Sequence, residues 1–260
     1  MATPTLVVSD PPHGDVDLDR AAELLSLDIF VTRLKINFRA PEILGSSDAG
    51  EVSYFATQLK EAGLSVSIVN GAMLLAPPWP EPASSFVFDD SALRVTAGGR
   101  TVRVPYDAEV VAVCCQPPAD FSMKPPVDPQ GAIKSGHGPT IAEAIQWMSI
   151  LDLYFLHDDE LKRVSIVPEL SAVDASTVVH DVEQRFQNLH LDSRLVGVRP
   201  RQRFVMGEAG FDPDQRKRYS FGTLLLCHVL ESITPELRDI TQYEFGSRIA
   251  FALSPLGKAL

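Results

Sequence analysis

Residues 136–140 read Gly-His-Gly-Pro-Thr, and their types suit a reactive or ligand-binding loop. Glycine lets the backbone approach a ligand closely, and histidine exchanges a proton near neutral pH. The same string is also typical of a solvated loop, because glycine and proline mark loops of every kind. His137 is therefore a candidate site residue, with the solvated loop as the alternative interpretation.

Cys114 and Cys115 are the second pair of residues that can do chemistry. A cysteine nucleophile needs a nearby base and a partly exposed, electropositive setting, and any of the six histidines is a candidate base. Adjacent residues of a strand face opposite sides, so this pair does not readily bind one metal ion together. The alternative is that one of the two thiols points into a β domain as a small hydrophobic side chain.

Residues 157–160 read His-Asp-Asp-Glu and contain the side-chain types that bind metal ions. All four fall in one short turn, whereas zinc ligands must close a tetrahedron and calcium loops alternate their oxygens around a glycine. We therefore predict a solvated hairpin turn here. The chain has no P-loop and no dinucleotide fingerprint, so we predict neither a metal nor a cofactor.

A basic segment follows residue 193. Arginine suits the recognition of carboxylates and phosphates, but three acidic residues interrupt the segment and leave a net charge of +4 over residues 194–218. Three interpretations stay open: internal or subunit contacts, the acidic surface of a partner protein, or nucleic acid and phospholipid. The interaction candidates are Arg194, Arg199, Arg201, Arg203, Arg216, Lys217 and Arg218.

The charge of the whole chain restricts its partners. The 260 residues carry 23 basic and 34 acidic side chains, which gives a net charge of −11. Residues 1–193 hold 13 basic and 27 acidic side chains, and residues 194–260 hold 10 and 7. A body this acidic has no general electrostatic attraction for nucleic acid or an anionic membrane. We therefore expect protein partners, including a second copy of this chain, rather than nucleic acid.

The sequence also indicates a compartment. Its N-terminus has no basic segment followed by a long apolar run, so no signal peptide is predicted, and no stretch of 18 apolar residues predicts a transmembrane helix. Three cysteines without a spacing pattern argue against a secreted disulfide framework. These features predict a cytoplasmic protein, and its length predicts one large or two modest domains.

Residues 1–76 predict a small α+β module. An apolar run at Leu6–Val8 predicts a strand, and apolar residues at i, i+3, i+4 and i+7 from Leu18 predict a helix. Residues 28–39 are ambiguous, because they alternate like a strand while Phe30, Leu34 and Phe38 also share a helical face. A further helix is predicted to end at Gly63, where a left-handed residue is favoured.

The order of these elements and two short motifs carry a resemblance. Ala40-Pro41 separates the ambiguous segment from the next helix, and Glu61-Ala62-Gly63 precedes the strand at residues 64–68. Over residues 15–75 the chain resembles the C-terminal domain of the bacterial ribosomal stalk protein. That resemblance implies a binding module in which residues 28–39 are helical, and we adopt this interpretation. The acidic hinge and lysine-rich face of a stalk protein are missing, so its recruitment of translation factors is not implied.

Residues 86–170 predict a β-rich domain after a proline-rich linker at residues 77–85. Four short strands are separated by an Asp-Asp turn and a Gly-Gly turn, and the third ends in Val-Pro-Tyr. Over residues 85–167 this series resembles a bacterial pleckstrin-homology-like barrel. Six prolines predict an inserted loop at residues 116–140, and a hairpin around residues 148–167 completes the sheet.

Residues 171–260 predict a helical C-terminal segment packed on the β domain, with Val179, Val182, Phe186 and Leu189 on one helical face. The fold class is thus α+β, with a small αβ module, an antiparallel meander or barrel, and a helical tail. This organisation favours a non-catalytic scaffold, adaptor or accessory subunit. The alternatives are an enzyme with a site near the 116–140 loop and a regulator that binds an acidic partner through residues 194–218.

Overall fold

A computed structural model defines residues 5–37, 41, 43–47, 49–78, 81–97, 99–116, 149–168, 173–196 and 242–260. The fold is mixed α+β, as predicted, with helices, largely antiparallel sheets and helices at the C-terminus. The chain divides into two compact units. The first contains residues 1–76 and 202–253, and the second contains residues 77–201 and 254–260.

The first unit is built on a three-stranded antiparallel sheet of order β2-β1-β3. Helices α1 to α3 are inserted between its strands in a β-α-α-β-α-β order, and α6 joins the unit from the C-terminal part of the chain. Its elements are β1 (Thr5–Ser9), α1 (Leu18–Leu25), α2 (Ile29–Ile36), β2 (Ile43–Ser47), α3 (Ala49–Glu61), β3 (Val66–Asn70), α4 (Ala72–Leu75) and α6 (Gln242–Leu253).

Strand β1 is buried on both faces, because successive side chains of a strand point to opposite sides. Val7 packs with residues of α1 and α3, including Leu25 and Leu59. Leu6 and Val8 face the other way and pack with Ile249 and Leu253 of α6. Arg248 donates a hydrogen bond to the Leu74 carbonyl at 2.7 Å, which holds α6 against α4. The predicted strand at residues 6–8 is confirmed, with its apolar run at the centre of the unit.

The helical interpretation of residues 28–39 is confirmed for Ile29–Ile36, and the alternating-strand interpretation of that stretch is wrong. Asp28 explains why this stretch is helical. Its carboxylate accepts a hydrogen bond from the Phe30 backbone N–H at 2.7 Å, and its carbonyl accepts one from Thr32 at 2.8 Å. These bonds start the helix locally, which the alternation of side-chain types does not reveal.

The predicted end of α3 is also confirmed. Gly63 has a φ of +89°, and its backbone N–H bonds to the Lys60 carbonyl while Leu64 bonds to Leu59. This pattern ends a helix with a left-handed residue. A Cβ atom at position 63 would lie 2.1 Å from the Asp15 carbonyl oxygen. Both the positive φ and this close contact therefore require glycine.

The second unit contains a seven-stranded sheet of order β10-β7-β8-β9-β4-β5-β6. Its inward-facing residues, among them Leu93, Val104, Ala112, Leu153 and Val164, belong to one core that α5 covers with Val178 and Val182. The elements are β4 (Glu81–Phe88), β5 (Ala92–Ala97), β6 (Arg100–Pro105), β7 (Glu109–Gln116), β8 (Ile150–His157), β9 (Glu160–Ile166), α5 (Ala175–Arg185), β10 (Asn188–Val196) and α7 (Pro255–Ala259).

Three features of the second unit differ from the sequence prediction. Strand β4 already begins at Glu81 inside the predicted linker, because Glu81 and Pro82 pair in parallel with β9. Strand β7 pairs with β8 and β10 rather than continuing the meander from β6. The predicted helical segment from residue 171 contains strand β10, because α5 ends at Arg185 and residues 188–196 pair in parallel with β7. Each difference arises from a pairing between strands distant in sequence.

The predicted hairpin is confirmed. Strands β8 and β9 pair from Leu151–Ile166 to His157–Glu160, and Asp158 and Asp159 form the turn with φ values of 53° and 62°. Aspartate tolerates this left-handed conformation better than most residues. No helix within the described ranges is long and apolar enough to cross a membrane.

Candidate ligand-binding cavity

Helix α5 forms one wall of a cavity in the second unit. Asp174 caps the helix by accepting a hydrogen bond from the Thr177 backbone N–H at 3.2 Å, and buried Val178 and Val182 hold its inner side on the core. Hydrogen bonds from Ser176 and from the Thr177 backbone N–H keep the pKa of Asp174 below its ordinary value. A neighbouring stripe, spaced i, i+3, i+4 and i+7, lines the cavity with Ser176, Val179, His180 and Glu183.

The ends of β7, β8 and β10 form the opposite wall. Cys114 on β7 pairs with Leu151 on β8, and both belong to the core that α5 covers. Leu191 on β10 packs against the same core. The cavity has a volume of about 440 Å³, within the range of small-molecule sites. The described lining is mostly apolar, with the hydroxyls of Ser149, Ser176 and Ser193 among its polar groups.

The Cys114 thiol is buried beside this cavity and stays protonated. Burial, followed by the negative charges of Glu183, Asp192 and Asp152, raises the pKa of Cys114 to about 12. A cysteine nucleophile requires the opposite change, because the thiolate is the reactive form. Cys114 therefore has the environment of a small core side chain, which was one of the two interpretations of the sequence.

Cys115 is also buried, with 1% of its surface exposed, and it lines the same cavity from the neighbouring position of β7. It pairs with Ile150 on β8, whereas Cys114 pairs with Leu151. The two cysteines therefore hold successive positions of β7, and both contribute to the lining of one cavity. The remaining candidate of the predicted loop site, His137, lies outside the described residues, as does most of the 116–140 segment.

A buried ionic cluster occupies the sheet face opposite α5. Arg163 on β9 pairs with Asp152 on β8 at 2.5 Å, with exposures of 1% and 3% for their side chains. Asp152 also accepts a hydrogen bond from the Ser165 hydroxyl, and the Arg163 guanidinium lies 5.1 Å from the centre of the Tyr154 ring. This buried pair links two neighbouring strands of the sheet.

Arg194 is the interaction candidate that the structure describes, and it makes an internal contact. Its Nε donates to both carboxylate oxygens of Asp192, at 2.9 and 3.0 Å, and its Nη2 also contacts this carboxylate. Asp192 is buried, and both residues lie on β10, the edge strand of the seven-stranded sheet. The other interaction candidates, Arg199, Arg201, Arg203, Arg216, Lys217 and Arg218, lie outside the described residues.

The His157–Glu160 turn is exposed along its whole length. The His157 Nε2 lies 3.6 Å from a carboxylate oxygen of the adjacent Asp158, and Glu160 forms an ion pair with Lys162. That lysine holds the pKa of Glu160 below its ordinary value, first through a hydrogen bond and then through its charge. Across the ranges that the structure describes, no group of three or more His, Cys, Asp or Glu side chains is arranged to hold a metal ion.

Sequence reasoning did not identify His180, Glu183 or Ser176 as site residues. The helical period that placed Val179 and Val182 on one face also places these three residues beside that face, so the signal was present. What the sequence lacked was the position of β10, because its parallel pairing with β7 brings Leu191 and Ser193 to the same cavity.

Comparison with known proteins adds no assignment. The chain matches no protein-family model, no curated protein and no solved structure.

Proposed function

We propose that this chain is a non-catalytic accessory subunit, a scaffold or adaptor, of a larger protein assembly. The observation that supports the proposal is a pair of large apolar side chains in the first turn of α2. Ile29 is 44% exposed and Phe30 is 68% exposed. Contiguous exposed apolar surface marks sites that bind another protein, and we assign these two side chains to such a site.

The backbone presents this pair in a fixed position. The hydrogen bond from the Phe30 N–H to the Asp28 carboxylate anchors the start of α2, and α2 packs against α1. A partner therefore meets a preorganised surface, which lowers the entropic cost of binding. We expect the partner to be a protein subunit that covers these side chains with an apolar patch of its own.

The protonated state of Cys114 supports the same proposal from another direction. An enzyme that uses this cysteine as a nucleophile needs a thiolate near neutral pH, and the pKa of about 12 opposes that state. The Arg194–Asp192 pair likewise occupies one arginine of the segment proposed to bind acidic partners.

The proposal is tested by isolating tagged protein from its own cells. We expect a second polypeptide to copurify in a fixed ratio with the wild-type chain, and to be lost from the double variant Ile29→Ser/Phe30→Ser. Val87→Ser is the matched control, because Val87 is 50% exposed on β4 in the second unit. A partner that is retained by the double variant, or lost equally from Val87→Ser, contradicts the assigned surface.

A further inference from the structure

We propose that the cavity between α5 and the ends of β7, β8 and β10 binds a small organic cation with an apolar body. This inference does not depend on the proposed adaptor function. It is a separate site in the second unit, built from other residues than the α2 surface.

The size and chemistry of the cavity suit such a ligand. A volume of about 440 Å³ accommodates a small molecule, and Val179, Leu151, Leu191 and Ile150 supply apolar walls. Ser149, Ser176 and Ser193 add hydroxyl groups to the lining. His180, Glu183 and Val196 are exposed, so the cavity reaches solvent on their side.

The charge of the lining selects a cation. Glu183 is the carboxylate among the described lining residues, and none of those residues is lysine or arginine. Glu183 forms no salt bridge with another described residue, unlike Asp152 and Asp192, which are paired with Arg163 and Arg194. Its carboxylate belongs to a residue that lines the cavity, and its charge is one of the causes, after burial, that raise the pKa of the Cys114 thiol. An anion there would meet unfavourable charge as well as an apolar wall.

The position of Glu183 separates the two ends of a ligand. It lies one turn beyond Val179 on α5, whereas Cys114 and Leu151 are buried core residues. A bound molecule is therefore expected to place its apolar body toward Cys114 and Leu151 and its charged head toward Glu183 and solvent. That orientation avoids burying a full charge, which would be costly.

The inference is tested by calorimetric titration of the full chain with three probes that share an eight-carbon body. The probes are octyltrimethylammonium, octanol and octanoate, used at about pH 8, where an ordinary imidazole is neutral. We expect the cation to bind most tightly and octanoate most weakly. Glu183→Gln is expected to weaken binding of the cation about three- to fivefold, because it removes one partly exposed charge. The affinity for octanol should stay unchanged.

Two further variants control the titration. Asp181→Asn removes the same charge from α5 at a position that does not line the cavity, and it should leave the affinity for the cation unchanged. Val179→Phe places a larger side chain in the cavity and should weaken binding of all three probes, with a cooperative thermal transition showing that the variant is folded. Equal affinities for octanoate and the cation, or a Glu183→Gln variant that binds like the wild type, overturn the charge preference. Absence of binding to the wild type, or undiminished binding of all three probes to folded Val179→Phe, overturns the site itself. The result of the copurification test of the α2 surface is independent of all these outcomes.

Discussion

Gly63 shows how a single residue can decide a local structure. It combines a left-handed backbone with the close approach of the Asp15 carbonyl, and either one alone excludes a side chain. The glycine could be identified from sequence because it follows a helical stripe whose last apolar residue is Leu59. The contact with Asp15 could not be identified, because it joins residues that are distant along the chain.

The first prediction at this scale concerns Gly63→Ala. We expect it to lower the free energy of unfolding by about 2 kcal/mol or more, because the new Cβ adds both a steric clash and a strained φ. Gly14→Ala is the control within the same unit, since its Cβ would lie 3.7 Å from the nearest atom, the Gly63 carbonyl oxygen. Urea unfolding measures both variants, and equal stability of the two would contradict the assignment.

His13 provides a prediction about pH. Its Nδ1 accepts a hydrogen bond from the Ser65 backbone N–H at 3.1 Å, and burial lowers the pKa of His13 while Asp10 partly opposes the shift. The unfolded chain therefore takes up this proton at a higher pH than the folded chain does. As the pH falls through about 6.5 toward the lower folded pKa, the first unit should lose stability.

The variant His13→Asn isolates that effect, because its side-chain carbonyl can accept the same hydrogen bond without titrating. We expect the difference in unfolding free energy between wild type and His13→Asn to shift against the wild type between about pH 7 and pH 5.5. Carboxyl groups titrate in both proteins and cancel in this difference. A difference that stays constant across this range would show that His13 titrates alike in both states.

At the scale of elements, the sequence predicted the helices and turns that depend on neighbouring residues. It did not predict which strands that are distant in sequence pair with each other. The stripes of α1 and α3, the hairpin of β8 and β9 and the end of α3 all depend on residues close in sequence. The end of α5 shows the limit. Phe186 and Leu189 continue the helical period, yet Phe186 packs edge-on against Tyr106 at 5.2 Å and Leu189 enters β10 opposite Val110.

The buried pair between β8 and β9 gives a prediction at the same scale. Arg163→Met should lower the free energy of unfolding by about 3–5 kcal/mol, because it leaves the Asp152 charge buried without its partner arginine. Adding Asp152→Leu should recover most of that loss. Lys162→Met breaks the Lys162–Glu160 ion pair, which is more exposed than the Arg163–Asp152 pair. It should lower the free energy of unfolding by less than about 1 kcal/mol. A double variant as unstable as Arg163→Met would contradict the charge-burial argument.

At the scale of the whole molecule, each compact unit is formed by two separate stretches of the chain. Sequence composition placed a boundary at residues 76–77, where the first compact unit also gives way to the second. It could not show that α6 returns to the first unit, because that return depends on Ile249 and Leu253 packing on the side of the three-stranded sheet that carries Leu6 and Val8. The net charge of −11 and the exposed α2 surface together favour a protein partner over a polyanion.

The most direct test of the proposed accessory role is the mass of the native particle, measured by light scattering on protein isolated from its own cells. The account predicts a mass above that of a single chain, with a partner polypeptide in fixed ratio, and a fall to the single-chain mass in Ile29→Ser/Phe30→Ser. A wild-type particle with the mass of one chain and no bound polypeptide would contradict it.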